Sequence, residues 1–296
     1  MKKILTLFAS FALVFTTAFS AEAPAFTVKV SGHGQPMILI PGLTCPGEVW
    51  DTTVEHFKDR YECHVFSLAG FGGTPAHSTD APFLASSRDA IVSYIRIHKL
   101  DHPVIVGHSL GGFLALDLAA KNPSLAGPLV IVDSIPFLTG VMRPGTTPDQ
   151  ARAGAADMRR YFDSMDNAAY EQSIRAGTNT RGMVASDEDH ARIVAWSLAS
   201  DRATVASAMT ELFSADLRAD LARIQSPTLV FASWIAYKPY TDHARIEATY
   251  REQYASLPHL KLVVSDTAHH FIMFDDPQWL FAQMDSFLSA QSPASN

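Results

Sequence analysis

Short apolar runs alternate with helix-spaced apolar stripes along most of the chain. The runs are Val28–Val30, Met37–Ile40, His64–Ser67, Val104–Val106, Leu129–Val132, Thr228–Ala232 and Leu260–Val264. Between them Ile91, Tyr94 and Ile95 form one stripe, Ile246, Tyr250, Tyr254 and Leu257 a second, and Leu280, Met284, Phe287 and Leu288 a third. Each stripe follows the spacing of one helix face. Strands apolar on both faces and separated by helices predict an α/β fold, a mostly parallel sheet covered by helices on both faces.

The alternation stops between Asp133 and Leu229, where helical patterns over Asp149–Met165, Ala168–Ala176, Asp187–Ala199 and Ala203–Phe213 follow one another without a strand. A stretch of that length with its own apolar residues is not a loop. It reads as a helical cap insertion over 135–221, set into a core domain made of 21–134 and 222–296. The chain shows no internal repeat.

At the N-terminus Lys2-Lys3 precedes an apolar stretch from Ile4 to Phe19 and a small-residue site, Ala18-Phe19-Ser20. This is the layout of a secretory signal peptide over residues 1–20. Thr6, Ser10, Thr16 and Thr17 interrupt a stretch already short of the roughly 20 apolar residues a membrane span needs. The expectation is a periplasmic or secreted protein, with no membrane partner once the leader is cleaved.

With 47% hydrophobic and 18% charged residues in a chain of 296, a substantial core is available and disorder is excluded. The 23 basic and 30 acidic residues give a formal charge of −7, and no Lys/Arg run is longer than the pairs Lys2-Lys3 and Arg159-Arg160. Binding to a phosphate backbone has no electrostatic basis, so nucleic acid is not an expected partner. Cys45 and Cys63 are the only cysteines. If Met37–Ile40 and Cys63–Ser67 are neighbouring parallel strands, the two lie about a strand length apart, ~15 Å against a bridging limit of about 7 Å. Two free thiols are expected.

The segment richest in chemistry is Val104-Ile105-Val106-Gly107-His108-Ser109-Leu110-Gly111-Gly112-Phe113, an apolar strand running through G-x-S-x-G into a helix. A strand that turns so sharply holds its central residue in strained geometry, and only small neighbours at Gly107 and Gly111 let the turn close. Ser109 is thereby presented at the sheet edge and at a helix N-terminus that favours developing negative charge.

On these residues the chain resembles the α/β-hydrolase superfamily, a serine esterase or lipase type, over most of its length. Pro41-Gly42-Leu43 stands where the family often has His-Gly-x, and Gly70-Phe71-Gly72-Gly73-Thr74 resembles its G-x-G-x-S segment. Ala268-His269-His270-Phe271-Ile272-Met273-Phe274-Asp275-Asp276-Pro277 resembles its G-H-F-x-x-x-E-x-P segment. The resemblance implies Ser109 as nucleophile, His270, seven residues before Pro277, as general base, and the backbone N–H groups of Leu43 and Leu110 as the oxyanion hole.

The acid that orients the base usually follows the strand corresponding to Thr228–Ala232. Here that place reads Ser233-Trp234-Ile235-Ala236-Tyr237-Lys238-Pro239-Tyr240, without a carboxylate. Asp133, at the end of the strand Leu129–Val132, is expected to be the acid, because some members take it from that strand, and Asp242, 28 residues before His270, is the alternative. Asp242 also suits an N-cap of the helix beginning near His243.

The implied reaction is hydrolysis of a carboxylic ester, thioester or lactone through an acyl-enzyme, with a small acyl substrate and water as partners and no cofactor. Acyl transfer or amide cleavage uses the same triad, and a non-catalytic ligand-binding homologue keeps the same fold. Serine at the elbow argues against the epoxide-hydrolase and dehalogenase branches of the family, which use aspartate. Cys45, two residues past Leu43, is placed to touch substrate. Trp196 and Met209 read either as packing between cap and sheet or as pocket lining. The twelve histidines form neither H-E-x-x-H nor a cysteine–histidine cluster with metal spacing, so no metal is expected.

Overall fold

A computed structural model describes residues 24–77, 81–178 and 180–291. The leader-like segment 1–20 lies outside the described residues. Seven strands form one sheet: β1 (Phe26–Gly32), β2 (Gln35–Ile40), β3 (Tyr61–Leu68), β4 (Val104–His108), β5 (Leu129–Val132), β6 (Thr228–Ser233) and β7 (Leu260–Ser265). Their spatial order is β1-β3-β2-β4-β5-β6-β7. All neighbours are parallel except β1, which pairs antiparallel with β3 at the edge.

The inner strands are buried on both faces because their apolar residues divide between two cores. Ile38, Ile40, Ile105, Ile131, Val230 and Ala232 point into one cluster. Met37, Leu39, Val104, Val106, Val130, Val132, Leu229 and Phe231 point into the other. This period-two division, with apolar residues at both phases, is why the strands read as continuous apolar runs. β1 has one neighbour and a largely exposed pattern, and Val30 on it is 50% exposed.

The first cluster is closed by α2 (Phe83–Ile97) and α3 (Leu110–Lys121), which contribute Ile91, Ile95, Leu114 and Leu118, and by α9 (His243–Gln253) with Tyr250. The second is closed by α1 (Asp51–Phe57) and α11 (Pro277–Ser289), with Phe57, Leu280, Met284 and Phe287. A short α10 (Ile272–Asp275) precedes α11. Cys45 and Cys63 are both buried and free, and β2 runs parallel to β3 with Met37 opposite Cys63.

Between β5 and β6 the chain runs through α4 (Leu138–Met142), α5 (Pro148–Ser164), α6 (Asn167–Ala176), α7 (Asp187–Ala199) and α8 (Arg202–Ser214). The starts of α5 to α8 are fixed by caps that the sequence spells out. Thr147, Asp166, Ser186 and Asp201 each accept a hydrogen bond from the backbone N–H three residues on. α4, five residues without a capping side chain, has no such signal in the sequence. Glu211 on α8 accepts from the N–H groups of Phe83 (2.6 Å) and Leu84 (2.8 Å), so a helix of this segment caps α2 of the core.

Candidate active site

β4 passes into α3 through Ser109, whose backbone is left-handed at φ 52, ψ −119. A non-glycine residue there stores on the order of 1–3 kcal/mol of strain and persists only if its surroundings hold it. Two bonds do so: the Ser109 N–H donates to Val132 O, and the Phe113 N–H donates to Ser109 O, each at 3.0 Å. The flanking glycines are steric necessities. A Cβ on Gly107 would fall 2.3 Å from Gly111 O, and one on Gly111 would fall 2.3 Å from Ile40 O and 2.5 Å from Pro41 O.

That close approach brings the loop after β2 onto the elbow. A Cβ on Gly42 would lie 3.2 Å from Ser109 Cβ. Among the described residues neither the Leu43 nor the Leu110 N–H has a backbone acceptor. Leu110 is the first residue of α3, where helical N–H groups have no partner in the helix and the dipole favours an anion. Beyond Leu43, Thr44 is held at φ 61, with its hydroxyl 3.1 Å from the Ser197 hydroxyl on α7.

His270 leaves the loop after β7, and its Nδ1 lies 2.7 Å from Asp133 Oδ2. A carboxylate only accepts here, so Nδ1 carries the proton and Nε2 keeps a free lone pair. Asp133 ends β5 at φ 45 and is 8% exposed. Its carboxylate is fully engaged: Oδ1 accepts from the Ser233 N–H and the Tyr250 hydroxyl, both at 2.8 Å, and Oδ2 also accepts from the Ser233 hydroxyl at 2.9 Å. The Tyr250 phenol is pushed well above its ordinary range by burial and then by Asp133. No hydrogen bond joins the Ser109 hydroxyl to His270 among the described residues, a separation common in unliganded acid–base sites.

His108 ties the elbow to the loop of the base. It is 1% exposed, its ring lies 4.5 Å from that of His270, and its Nε2 donates to the His270 carbonyl at 3.1 Å. A carbonyl only accepts, so Nε2 is the protonated nitrogen, and the buried Nδ1 has no partner. Burial, and secondarily His270, lowers His108 well below the ordinary imidazole range, which keeps it neutral.

The remaining sequence candidates fall elsewhere. Asp242 is the N-cap of α9, accepting from the Arg245 N–H at 2.8 Å. His269 faces Asp275 instead: Asp275 accepts from His269 Nδ1 at 2.7 Å and from its N–H at 2.8 Å. Cys45, expected to touch substrate, is 1% exposed inside the second cluster, and burial pushes its thiol up to about 12. Contrary to that expectation, the Cys45 N–H turns back to Gly42 O and the side chain lies in the core. Trp196 packs on the second cluster, 6.2 Å from Phe274, and Met209 on the first, the packing alternative of the sequence reading. A groove of about 500 Å³ lies between α2 and α8, lined by Ala69, Pro82, Phe83, Thr204 and Glu211, and holds none of the expected site residues.

Sequence reasoning missed Ser233 and Tyr250. Ser233 stands first in the segment noted for lacking a carboxylate, and Tyr250 sits in a stripe read as apolar. A tyrosine on a helix face that must be wholly buried was the available signal, because its hydroxyl needs a partner.

A profile of the alpha/beta hydrolase family matches residues 37–283, and the chain belongs to that family. N-formylmaleamate deformylase of Pseudomonas putida is 27% identical over 267 residues, 88% of this chain and 91% of that protein. Pimeloyl-(acyl-carrier protein) methyl ester esterase of Aeromonas hydrophila is 25% identical over 272 residues, 88% of this chain and 98% of that protein. Among solved structures, the enol-lactonase of Burkholderia xenovorans LB400 superposes with a TM-score of 0.70 at 16% identity, covering 89% of this chain and 96% of that one. At such identity the likeness speaks for the fold alone.

Proposed function

We propose that this chain is a serine hydrolase that cleaves a carboxylic ester, thioester or lactone through an acyl-enzyme on Ser109. The observation that carries the reading is the 2.7 Å bond from His270 Nδ1 to Asp133, made in the loop that His108 ties to the elbow of Ser109. In this reading Ser109 Oγ attacks the acyl carbon while His270 Nε2 takes its proton. The Leu43 and Leu110 N–H groups receive the charge that develops on the carbonyl oxygen. His270 returns the proton to the leaving group, and water, activated by the same nitrogen, releases the acid. Asp133 keeps Nδ1 protonated and stabilises the imidazolium formed in each half-reaction. The helices between β5 and β6 serve as a cap that selects the acyl group.

A second reading, cleavage of a formyl amide, is favoured by the likeness to the deformylase over 88% of the chain. The same groups act, with the proton delivered to nitrogen.

Labelling with a fluorophosphonate tests the nucleophile: a single adduct on Ser109, lost in Ser109→Ala, is expected, and an unlabelled folded protein would make the chain a binding module. Turnover of p-nitrophenyl esters of increasing chain length, lactones and N-formyl amides then separates the two readings.

A further inference from the structure

Asp133 offers two oxygens to four donors, and three of those donors come from just two residues, Ser233 and Tyr250. Ser233 closes β6, one strand over from Asp133. Its N–H donates to Oδ1, while the Asp133 N–H donates to Phe231 O at 2.9 Å, so the carboxylate extends the β5–β6 ladder by one rung. Tyr250 reaches the same Oδ1 from α9, its ring 6.5 Å from and nearly parallel to that of Tyr254. The arrangement leaves a single place on Oδ2 for His270.

We propose that Tyr250 and Ser233 are positioning residues for the acid: their hydroxyls fix the plane of the Asp133 carboxylate and disperse its charge, and so set how strongly it holds the imidazolium formed on His270. The inference rests on the triad reading above. A phenol that donates to a carboxylate draws off negative charge. Removing it concentrates that charge on the remaining partner, and the protonated form of the base gains.

Other groups face this pair. His108 approaches from the elbow as a neutral ring, the Tyr237 hydroxyl is pushed up by burial and then by Asp133, and His269 on the same loop is paired with Asp275. Tyr254 donates to Ser134 O at 2.8 Å and does not bond Asp133. It is therefore the matched control, a buried phenol just past the end of α9, pushed up by burial and then by the charge of Asp133 without bonding it.

The test measures kcat/KM against pH with p-nitrophenyl acetate for wild type, Tyr250→Phe, Ser233→Ala, Ser233→Thr and Tyr254→Phe. Tyr250→Phe keeps the ring, and Asp133 Oδ1 keeps the Ser233 N–H, so a folded protein is expected. The acidic limb of Tyr250→Phe should move to higher pH by about half a unit or more as the imidazolium gains. The carboxylate, no longer held in its plane, orients His270 less well, which should lower plateau kcat by about tenfold with KM unchanged. Ser233→Ala should move it the same way, Ser233→Thr should restore it, and Tyr254→Phe should follow wild type. In an inactive Ser109→Ala background, the low-field Nδ1–H proton resonance of His270 should shift with Tyr250→Phe, which reads the bond without turnover. Limbs and resonances that overlay wild type for both variants would overturn the proposal. Asp133→Asn, run in parallel, tells the two failures apart: if it is inactive while Tyr250→Phe tracks wild type, only this inference falls, and if it is fully active the triad reading falls with it.

Discussion

Asp133 and His270 lie 137 residues apart and meet at 2.7 Å, whereas Asp242, only 28 residues before His270, spends its carboxylate on the start of α9. Proximity in sequence is a poor guide here because the sheet order sets the neighbours. Only β6 stands between β5 and β7, so the residue after β5 and the loop after β7 meet across one strand, with Ser233 of β6 bonded to the same carboxylate that holds His270.

The two aspartates therefore separate by assay. Asp133→Asn should lower kcat by at least about a hundredfold, and up to about 10⁴, with an unchanged circular-dichroism spectrum, because the amide supports the wrong tautomer of His270. Asp242→Asn should leave kcat near wild type and cost at most about 1 kcal/mol of stability as a weakened cap, a melting shift of a few degrees. The opposite assignment, kcat lost in Asp242→Asn alone, would contradict the site described here.

Much of this was legible in the sequence. The inner strands announce themselves because both faces of each are apolar, and the elbow because Gly107 and Gly111 are demanded by backbone oxygens that no side chain could approach. The starts of four helices between β5 and β6 are written in Thr147, Asp166, Ser186 and Asp201. What stayed hidden depends on contacts across the sheet. Ser233 looks like a gap where an acid should stand until β5 is placed beside it. Tyr250 looks apolar until its hydroxyl is seen against Asp133. Cys45 looks available to substrate until its turn carries it inward, and α4 lacks both length and a cap.

Adjacent histidines have different partners, and activity should distinguish them. His270→Ala is expected to lower esterase turnover by several orders of magnitude, as is Ser109→Ala, while His269→Ala costs far less. The His269 partner Asp275 also accepts from the Ala185 N–H at 2.9 Å, so Asp275→Ala should loosen the segment ahead of α7 and lower the melting temperature more than it lowers kcat. An inactive His269→Ala beside an active His270→Ala would exchange their roles.

Two glycine substitutions should move stability in opposite directions. Gly111→Ala drives a Cβ to 2.3 Å from Ile40 O and 2.5 Å from Pro41 O, backbone atoms held in the sheet exit, and should cost more than about 3 kcal/mol or abolish soluble expression. Gly154→Ala, within α5 and with nothing within 4 Å of the added Cβ, should stabilise by about 0.5–1 kcal/mol. Denaturant midpoints read both, and a tolerated Gly111→Ala would mean that the elbow and the β2 loop lie farther apart.

The pH dependence of stability should carry the signature of His108. Its folded-state value is lowered well below 6.5, first by burial and then by His270. The unfolded chain, with an ordinary imidazole, therefore takes up the proton first as pH falls. The stability that neutral His108 contributes is whole above about pH 6.5 and is lost progressively below it, by about 1.4 kcal/mol per pH unit for one proton. Other histidines and carboxylates add their own slopes, so the informative quantity is the difference between wild type and His108→Gln, which removes the titration and keeps an N–H donor within reach of the His270 carbonyl. Between pH 6.5 and 5 the urea-derived stability of wild type should fall more steeply than that of the variant by the slope of one proton. Parallel curves over that interval would mean that His108 is protonated as readily in the folded protein as in the unfolded chain, which its burial and its unpartnered Nδ1 argue against.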